Sequence, residues 1–313
     1  MAITSLACLH QLTSLTLVII PGLSIMKESN TIPDHHIRTQ VLNIHVESNS
    51  LTESISVNTG FPALLSLLSN HPITCQGLSI NIHQEYCSAN VILHFFNTLT
   101  SLAPINDDDD EFLAWENLAA FRLQMPWDKN FFILDEESIQ IPRNGLAALH
   151  RLVYLTALEL EDLGTCRIDD DALRNLALSL PYLQCLLLGT RQLWEEPPRA
   201  TLWGISLVLH YCPHLETLGL LFYCSLGHHK IEYADTNNLI TTLQVGFSPP
   251  HSSFTVAAFL AHSLPNLDSI MVEPEESHRK YGHSRTDLTL PDRDIRIQEW
   301  SRILDLTTEF ADI

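Results

Sequence analysis

One leucine-rich phrase occurs three times within residues 149–222 of this 313-residue chain. Each copy carries leucines three residues apart and closes with two leucines that are separated by a single residue. A side-chain period of two places both members of the closing pair on one face of a short β-strand. The three closing pairs are Leu158 and Leu160, Leu186 and Leu188, and Leu218 and Leu220. The segment therefore predicts short strands that each present one apolar face to a shared core.

Weaker copies of the phrase extend along nearly the whole chain. Their closing pairs are Leu15 and Leu17, Leu42 and Ile44, Leu78 and Ile80, Phe121 and Leu123, Leu243 and Val245, and Ile270 and Val272. Successive pairs are 25 to 43 residues apart, whereas ordinary leucine-rich repeats have ~20–29 residues, so several repeats carry insertions. The predicted fold is an α/β leucine-rich-repeat solenoid of about nine irregular repeats, with a curved parallel sheet on its concave side and helices outside.

Apolar residues at helical spacing lie between the predicted strands. They predict helices over 61–68, 90–102, 144–154, 255–263 and 295–310, and two more that begin after polar caps. Asp169 is a plausible N-cap, and Asp170 and Asp171 would then lie in a first turn, where carboxylates favour the helix dipole. Thr201 is the predicted cap of the next helix, which extends to Tyr211.

We expect a single solenoid over 1–313. Its predicted parts are irregular repeats over 1–117, regular repeats over 118–272, a loop over 273–294 and a capping helix over 295–313. The stretches 106–111, 189–198 and 273–293 have the composition of solvated loops. The first phrase begins at Leu9, after only eight residues. We therefore expect an uncovered first repeat, which another chain or a missing N-terminal piece would cover.

The net charge limits the classes of partner, and the cysteines indicate the cellular compartment. A formal net charge of −20 disfavours nucleic acid and anionic membrane surfaces as partners. Seven scattered cysteines without a Cys-x-x-Cys pair indicate reduced thiols, and hence the cytoplasm or nucleus, and make a zinc site unlikely. Residues 1–26 are apolar, but they lack an early basic residue and a cleavage signal, and no run is long enough for a membrane helix.

Catalytic and metal-binding patterns have little support. Helix capping explains the aspartates at 169–171 better than paired catalytic carboxylates do. The aspartates at 107–110 lack the alternating ligand spacing and the glycine of a calcium loop. The histidine pairs at 35–36 and 228–229 do not have the i, i+4 spacing of helical metal ligands. We expect no cofactor, no metal and no enzymatic activity.

Several segments with conserved order resemble the leucine-rich-repeat F-box proteins of mushroom-forming fungi. The matching segments are Arg167-Ile-Asp-Asp-Asp-Ala-Leu-Arg-Asn-Leu-Ala177, Leu180-Pro-Tyr-Leu183, Leu188-Gly-Thr190, Pro197-Pro-Arg-Ala-Thr-Leu202, Cys212-Pro-His-Leu215, Val245-Gly-Phe-Ser-Pro249, Val256-Ala-Ala-Phe-Leu260 and Leu264-Pro-Asn-Leu267. Their order and spacing over 167–270 make the set fairly specific. Pro250 departs from the family pattern, which has an apolar residue there.

The resemblance implies the substrate-recognition region of a ubiquitin-ligase receptor. Members of the family typically begin with an F-box, a helical module that docks the adaptor of a cullin-type ligase. This sequence has no Leu-Pro-x-Glu-like start of such a module, so an adaptor would bind only if an F-box were supplied upstream. The alternatives are a repeat scaffold unrelated to ubiquitin ligation and a truncated copy of a family member.

The candidate binding residues lie between and after the strand leucines, where they would line the concave face and hold an unknown protein partner. They are Arg122, Gln124, Glu159, Glu161, Leu187, Leu221, Gln244, Met271 and Glu273. Leu187 and Leu221 are predicted at adjacent outward positions, where they would form the apolar floor of a partner-binding patch. The alternative is that the long loops fold over and bury them.

Overall fold

The computed structural model describes residues 14–19, 37–46, 73–82, 89–101, 117–124, 141, 145–161, 163–165, 167–191, 197–225, 235–272 and 293–311. The predicted helix over 61–68, the predicted loop over 106–111 and residues 273–292 of the predicted loop over 273–293 lie outside these residues.

Parallel strands form one sheet, with nine strands in the described residues. Their order in the sheet is β1-β3-β5-β6-β7-β8-β9-β10-β11. Their bounds are β1 Ser14–Ile19, β3 Val41–Val46, β5 Gly77–Ile82, β6 Ala120–Gln124, β7 Ala157–Glu161, β8 Cys185–Leu188, β9 Thr217–Leu220, β10 Thr242–Gly246 and β11 Ser269–Val272. A short parallel pair, β2 Ile37–Arg38 with β4 Ile73–Thr74, was not predicted.

The register of the sheet aligns the predicted strand pairs. The first member of every pair falls in one continuous row across the sheet, namely Leu15, Leu42, Leu78, Phe121, Leu158, Leu186, Leu218, Leu243 and Ile270. From Leu42 to Leu243 this row is buried in the main apolar cluster. Neighbouring repeats therefore share their core residues, and the α/β leucine-rich-repeat solenoid predicted from the phrase is confirmed.

Helices supply the other side of the core. They are α1 Ala89–Ser101, a 3₁₀ helix Leu146–Arg151, α2 Asp170–Ser179, α3 Leu202–Tyr211, α4 Ser253–Ser263 and α5 Arg293–Ala311. The helix predicted over 144–154 is the short 3₁₀ helix, because the Leu152 N–H bonds to the Leu149 carbonyl and ends the segment after Arg151. The helix predicted from Thr255 begins two residues earlier, at Ser253.

The aspartates at 169–171 connect two repeats. Asp169 Oδ1 accepts from the Ala172 N–H at 3.0 Å and caps α2, as predicted. Asp170 accepts at 2.7 Å from both the N–H and the hydroxyl of Thr201, the N-cap of α3. A Cβ at Gly204 would collide with the Asp170 carboxylate, so this glycine allows α3 to approach α2.

The C-terminal helix α5 packs along α4 and against β11. Trp300 is buried on α5 with its ring 5.9 Å from that of Phe222, and its Nε1 donates to the Ser248 carbonyl at 3.2 Å. The Ser248 hydroxyl accepts from the Phe222 N–H at 3.0 Å, while the Arg296 guanidinium lies 5.4 Å from the centre of the Phe247 ring. The predicted C-terminal helix thus seals the end of the described core. The predicted division of the whole chain into four parts remains a prediction.

Replacing Asp170 should weaken the connection between repeats. We expect Asp170→Ala to lower the free energy of unfolding by about 1–3 kcal/mol, because it leaves the donors of Thr201 without their carboxylate. Asp171→Ala is the matched control: Asp171 is exposed in the same first turn, so its loss should cost no more than a helix-dipole interaction, about 0.3–1 kcal/mol. Urea unfolding measures both variants, and equal losses would contradict this role of Asp170.

The buried thiols should be unreactive in the folded chain. Burial raises the pKa of Cys75, Cys212 and Cys224 to about 12 each, so almost no thiolate is present at pH 8, and the thiolate is the reactive form. With Ellman's reagent at pH 8 these three should remain unmodified, whereas all seven cysteines should react in guanidinium. Mass spectrometry identifies the modified positions, and rapid native labelling of any of the three would refute the prediction.

Candidate protein-binding face

One face of the sheet is turned away from the buried leucines, and we call it the open face. The register places one side chain from each strand in a central row across it. This central row is Thr16, Asn43, Ser79, Arg122, Glu159, Leu187, Gly219, Gln244 and Met271. All of these residues except Gly219 are exposed or half-buried. The row is therefore a continuous surface that the core does not use.

Small side chains flank the central row on the side where the strands begin. This flanking row is Ser14, Val41, Gly77, Ala120, Ala157, Cys185, Thr217, Thr242 and Ser269. On the other side, the first five strands of the sheet contribute Val18, His45, Asn81, Gln124 and Glu161. A partner can therefore reach the larger side chains of the central row from the side of the flanking row, where the side chains are small.

A bidentate ion pair lies at the middle of the central row. Arg122 donates from Nε to Glu159 Oε2 at 2.6 Å and from Nη2 to Oε1 at 2.7 Å. The hydrogen bonds to Glu159 raise the pKa of the Arg122 guanidinium above its already high value. The Arg122 side chain is 47% exposed and that of Glu159 only 16%. The carboxylate therefore holds the guanidinium in place and is largely covered by it.

A second carboxylate lies two residues further along β7. The Glu161 side chain is only 3% exposed, and it accepts from the Thr190 hydroxyl at 2.9 Å. Arg191, whose side chain is 50% exposed, places its Nε 3.7 Å from Glu161 Oε2. A Cβ at Gly246, where φ is +52°, would collide with the Thr190 carbonyl. This glycine thus lets β10 pack against the turn that carries Thr190 and Arg191.

The open face becomes more apolar towards the C-terminal strands. Leu187 lies beside Gly219 in the register, and a Cβ on this glycine would come within 2.7 Å of Leu187 Cδ2. The glycine therefore leaves room for the leucine side chain to lie across β9. Met271 on β11 is 52% exposed. The central row changes in this way from uncharged polar, through charged, to largely apolar.

The prediction that Leu187 and Leu221 form an adjacent apolar floor is wrong. Leu221 follows the last residue of β9 and is 2% exposed, so the alternative of burial holds for it. The strand ends at Leu220, and the alternation of faces is not maintained beyond that residue. The neighbour of Leu187 in the register is Gly219 instead.

The other predicted residues are placed as follows. Arg122 and Glu159 contact each other, Gln124 and Glu161 are register partners beside them, and Leu187, Gln244 and Met271 continue along the central row. Glu161 faces the open side but is buried, and Glu273 lies outside the described residues. Sequence reasoning missed Thr190, Arg191 and Gly219, because only the folded turn after β8 brings the first two back to β7. A binding role for the whole set remains a prediction.

The chemistry of the open face suits contact better than reaction. Burial raises the pKa of the neighbouring Cys185 to about 11, so its thiol stays protonated near neutral pH. Among the described residues no group of three histidine, cysteine or carboxylate side chains is placed to hold a metal ion. No helix in the described ranges is long and apolar enough to cross a membrane.

A separate open cleft of about 420 Å³ lies between α2 and α3. Its lining residues are Asp169, Asp170, Asp171, Arg174, Arg199, Trp203 and Leu207. Asp169 caps α2 here and Asp170 accepts from Thr201, the N-cap of α3, so both of these aspartates in the wall of the cleft have a structural explanation.

No protein-family model matches the chain, and no curated protein matches it. Among solved structures, the chain is similar to the leucine-rich repeat-containing protein LegL7 from Legionella pneumophila, with 12% sequence identity over 96% of this chain and 99% of that one. The TM-score is 0.29, so the assignment of the fold rests on the strand order and register described above.

Removing the hydroxyl of Thr190 should destabilise the fold, because Glu161 would remain buried without this hydrogen-bond donor. Thr190→Val keeps the shape but removes the donor, and we expect the free energy of unfolding to fall by about 1–3 kcal/mol. Thr217→Val, at a half-buried position of the same face, is the control and should be nearly neutral. Chemical unfolding compares them, and a neutral Thr190→Val variant would show that the hydrogen bond does not support Glu161.

Proposed function

We propose that this chain is a protein-binding scaffold that holds a protein partner on the open face of its sheet. The observation that carries the proposal is the central row, in which register-aligned residues from eight of the nine strands of the described sheet, all but Gly219, are exposed or half-buried. Repeat solenoids use extended surfaces of this kind for binding. The fold is typical of binding scaffolds, and the fixed ion pair offers preorganised contacts without a catalytic role.

The finer proposal is a role like that of the substrate-recognition region of an F-box-type ubiquitin-ligase receptor. The resemblance of the segments over 167–270 supports it. In that role the open face would hold the protein substrate, and a cullin-ligase adaptor would bind an F-box joined upstream. The four cysteines of the described residues are free thiols, three of them buried, and they fit a cytoplasmic or nuclear location. The alternative is a leucine-rich-repeat interaction protein unrelated to ubiquitin ligation, or a truncated family copy.

Site-specific cross-linking tests the scaffold proposal. We expect a photo-reactive amino acid at Ser79, in the central row, to give a discrete cross-linked protein in an extract of the source cells. The same probe at Asn175, which is exposed on α2, is the matched control and should not give that product. A bulky Asn43→Trp substitution beside Ser79 should abolish the cross-link. Identical products from both probe positions would refute binding on the open face.

The ligase role has its own test. The natural full-length product should co-purify with a cullin-ligase adaptor, and the genomic sequence upstream of Met1 should contain an in-frame F-box. If neither is found while the Ser79 cross-link persists, the unrelated scaffold is the correct reading.

A further inference from the structure

The charged centre of the open face is layered. In both ion pairs the arginine side chain is about half exposed, and the side chain of its glutamate is largely covered. The exposed fractions are 47% for Arg122 over 16% for Glu159, and 50% for Arg191 over 3% for Glu161. A partner that approaches this centre therefore meets N–H donors first, although the chain as a whole carries a net charge of −20.

Both ion pairs involve the same strand, β7. Glu159 and Glu161 are two residues apart on one strand, which separates them by ~7 Å. Arg122 reaches Glu159 from β6, and Arg191 approaches Glu161 from the turn after β8. Both arginines thus pair with the same short stretch of β7, Arg122 from the side of β6 and Arg191 from the side of β8.

Each arginine has donors left for a partner. A guanidinium carries five N–H groups, and Glu159 engages only Nε and Nη2 of Arg122. Because the carboxylate already fixes the side chain, a partner would lose little side-chain entropy on binding it. Charge-assisted hydrogen bonds from arginine to a carboxylate are about twice as strong as neutral ones. The chemistry that fits these donors best is an anionic oxygen pair.

The net negative charge does not oppose such a contact at short range. At physiological ionic strength the Debye length is about 8 Å, so charges on distant parts of the chain are screened. Groups in direct contact are screened much less. Net charge therefore limits how acidic the partner can be as a whole, while the two arginines determine what it places at the centre.

We infer that the partner of the open face presents a carboxylate side chain to Arg122 and Arg191, on an extended segment that runs along the central row. This inference rests on the scaffold function proposed above. The neighbours of the charged centre define the flanks of the segment. Small polar residues suit the side of Ser79, and an apolar residue suits the side of Leu187. Strands spaced ~4.8 Å apart place these flanks within an extended segment of about five residues.

Peptide selection tests the inference without knowledge of the natural partner. A displayed library of random 12-residue peptides is selected on the full chain, and we expect one aspartate or glutamate to be enriched with apolar residues on one side of it. The best peptide is then labelled with fluorescein, and its affinity is measured by fluorescence polarisation. Arg122→Gln and Arg191→Gln should each weaken binding about tenfold, whereas Arg174→Gln on α2 should leave it unchanged.

A double-mutant cycle assigns the contact. Changing the acidic residue of the peptide to its amide should weaken binding to the natural chain about tenfold. The same change should have little further effect on binding to the double variant that carries Arg122→Gln and Arg191→Gln, because that variant already lacks the interaction. Additive losses, or a selection without acidic enrichment, would overturn the inference. If a phosphoserine peptide binds more than tenfold tighter than the acidic one, the partner class is a phosphopeptide and the carboxylate assignment is wrong.

The acidic preference can fail while the scaffold proposal holds. A Ser79 cross-link that persists while the acidic preference fails would leave the open face as a binding surface with a different partner chemistry. Circular dichroism and urea unfolding of each variant show whether it is folded, and Arg122→Lys keeps the charge while losing the bidentate geometry. That variant should retain the acidic preference at reduced affinity.

Discussion

The structure depends on the sharing of apolar residues between neighbouring short strands. A strand of four to six residues has too little apolar surface to be stable alone, and each one here completes its core only against the next. The buried row from Leu42 to Leu243 is the physical form of this dependence. Because the row is inside, the alternating positions of the same strands are outside. The open face is thus a direct geometric consequence of the buried leucines.

Polar contacts add the connections that apolar packing does not specify. Asp170 bonds α2 to the cap of α3, and Gly204 allows the close approach that this bond requires. At the C-terminal end, Trp300 and Ser248 join α5 to the segments that follow β9 and β10. Leucine packing is not directional, whereas these hydrogen bonds fix α3 relative to α2 and α5 relative to the segments after β9 and β10. Fixing these elements also fixes the positions of the side chains on the open face.

Sequence reasoning correctly predicted the features that depend on residues adjacent in the chain. A side-chain period of two identified every strand of the sheet, and the polar residues before α2 and α3 identified their caps, because both depend on a few adjacent residues. It failed at Leu221, where the strand had already ended. It also missed Thr190 and Arg191, since their relation to Glu161 depends on how the chain turns after β8 and on the left-handed glycine at 246. Contacts between residues 29 or 30 positions apart are not encoded in any short pattern.

The layered ion pairs show why net charge is a poor guide to the chemistry of a binding face. A count of charges on β6, on β7 and in the turn after β8 would make this region neutral, since two arginines balance two glutamates. The fold leaves the arginine side chains about half exposed and largely covers the glutamate side chains, so a neutral total becomes a donor-rich surface. Burying Glu161 is costly without its partners, and Thr190 and Arg191 offset that cost. The stability of this buried carboxylate and the donors presented above it are therefore two consequences of one arrangement.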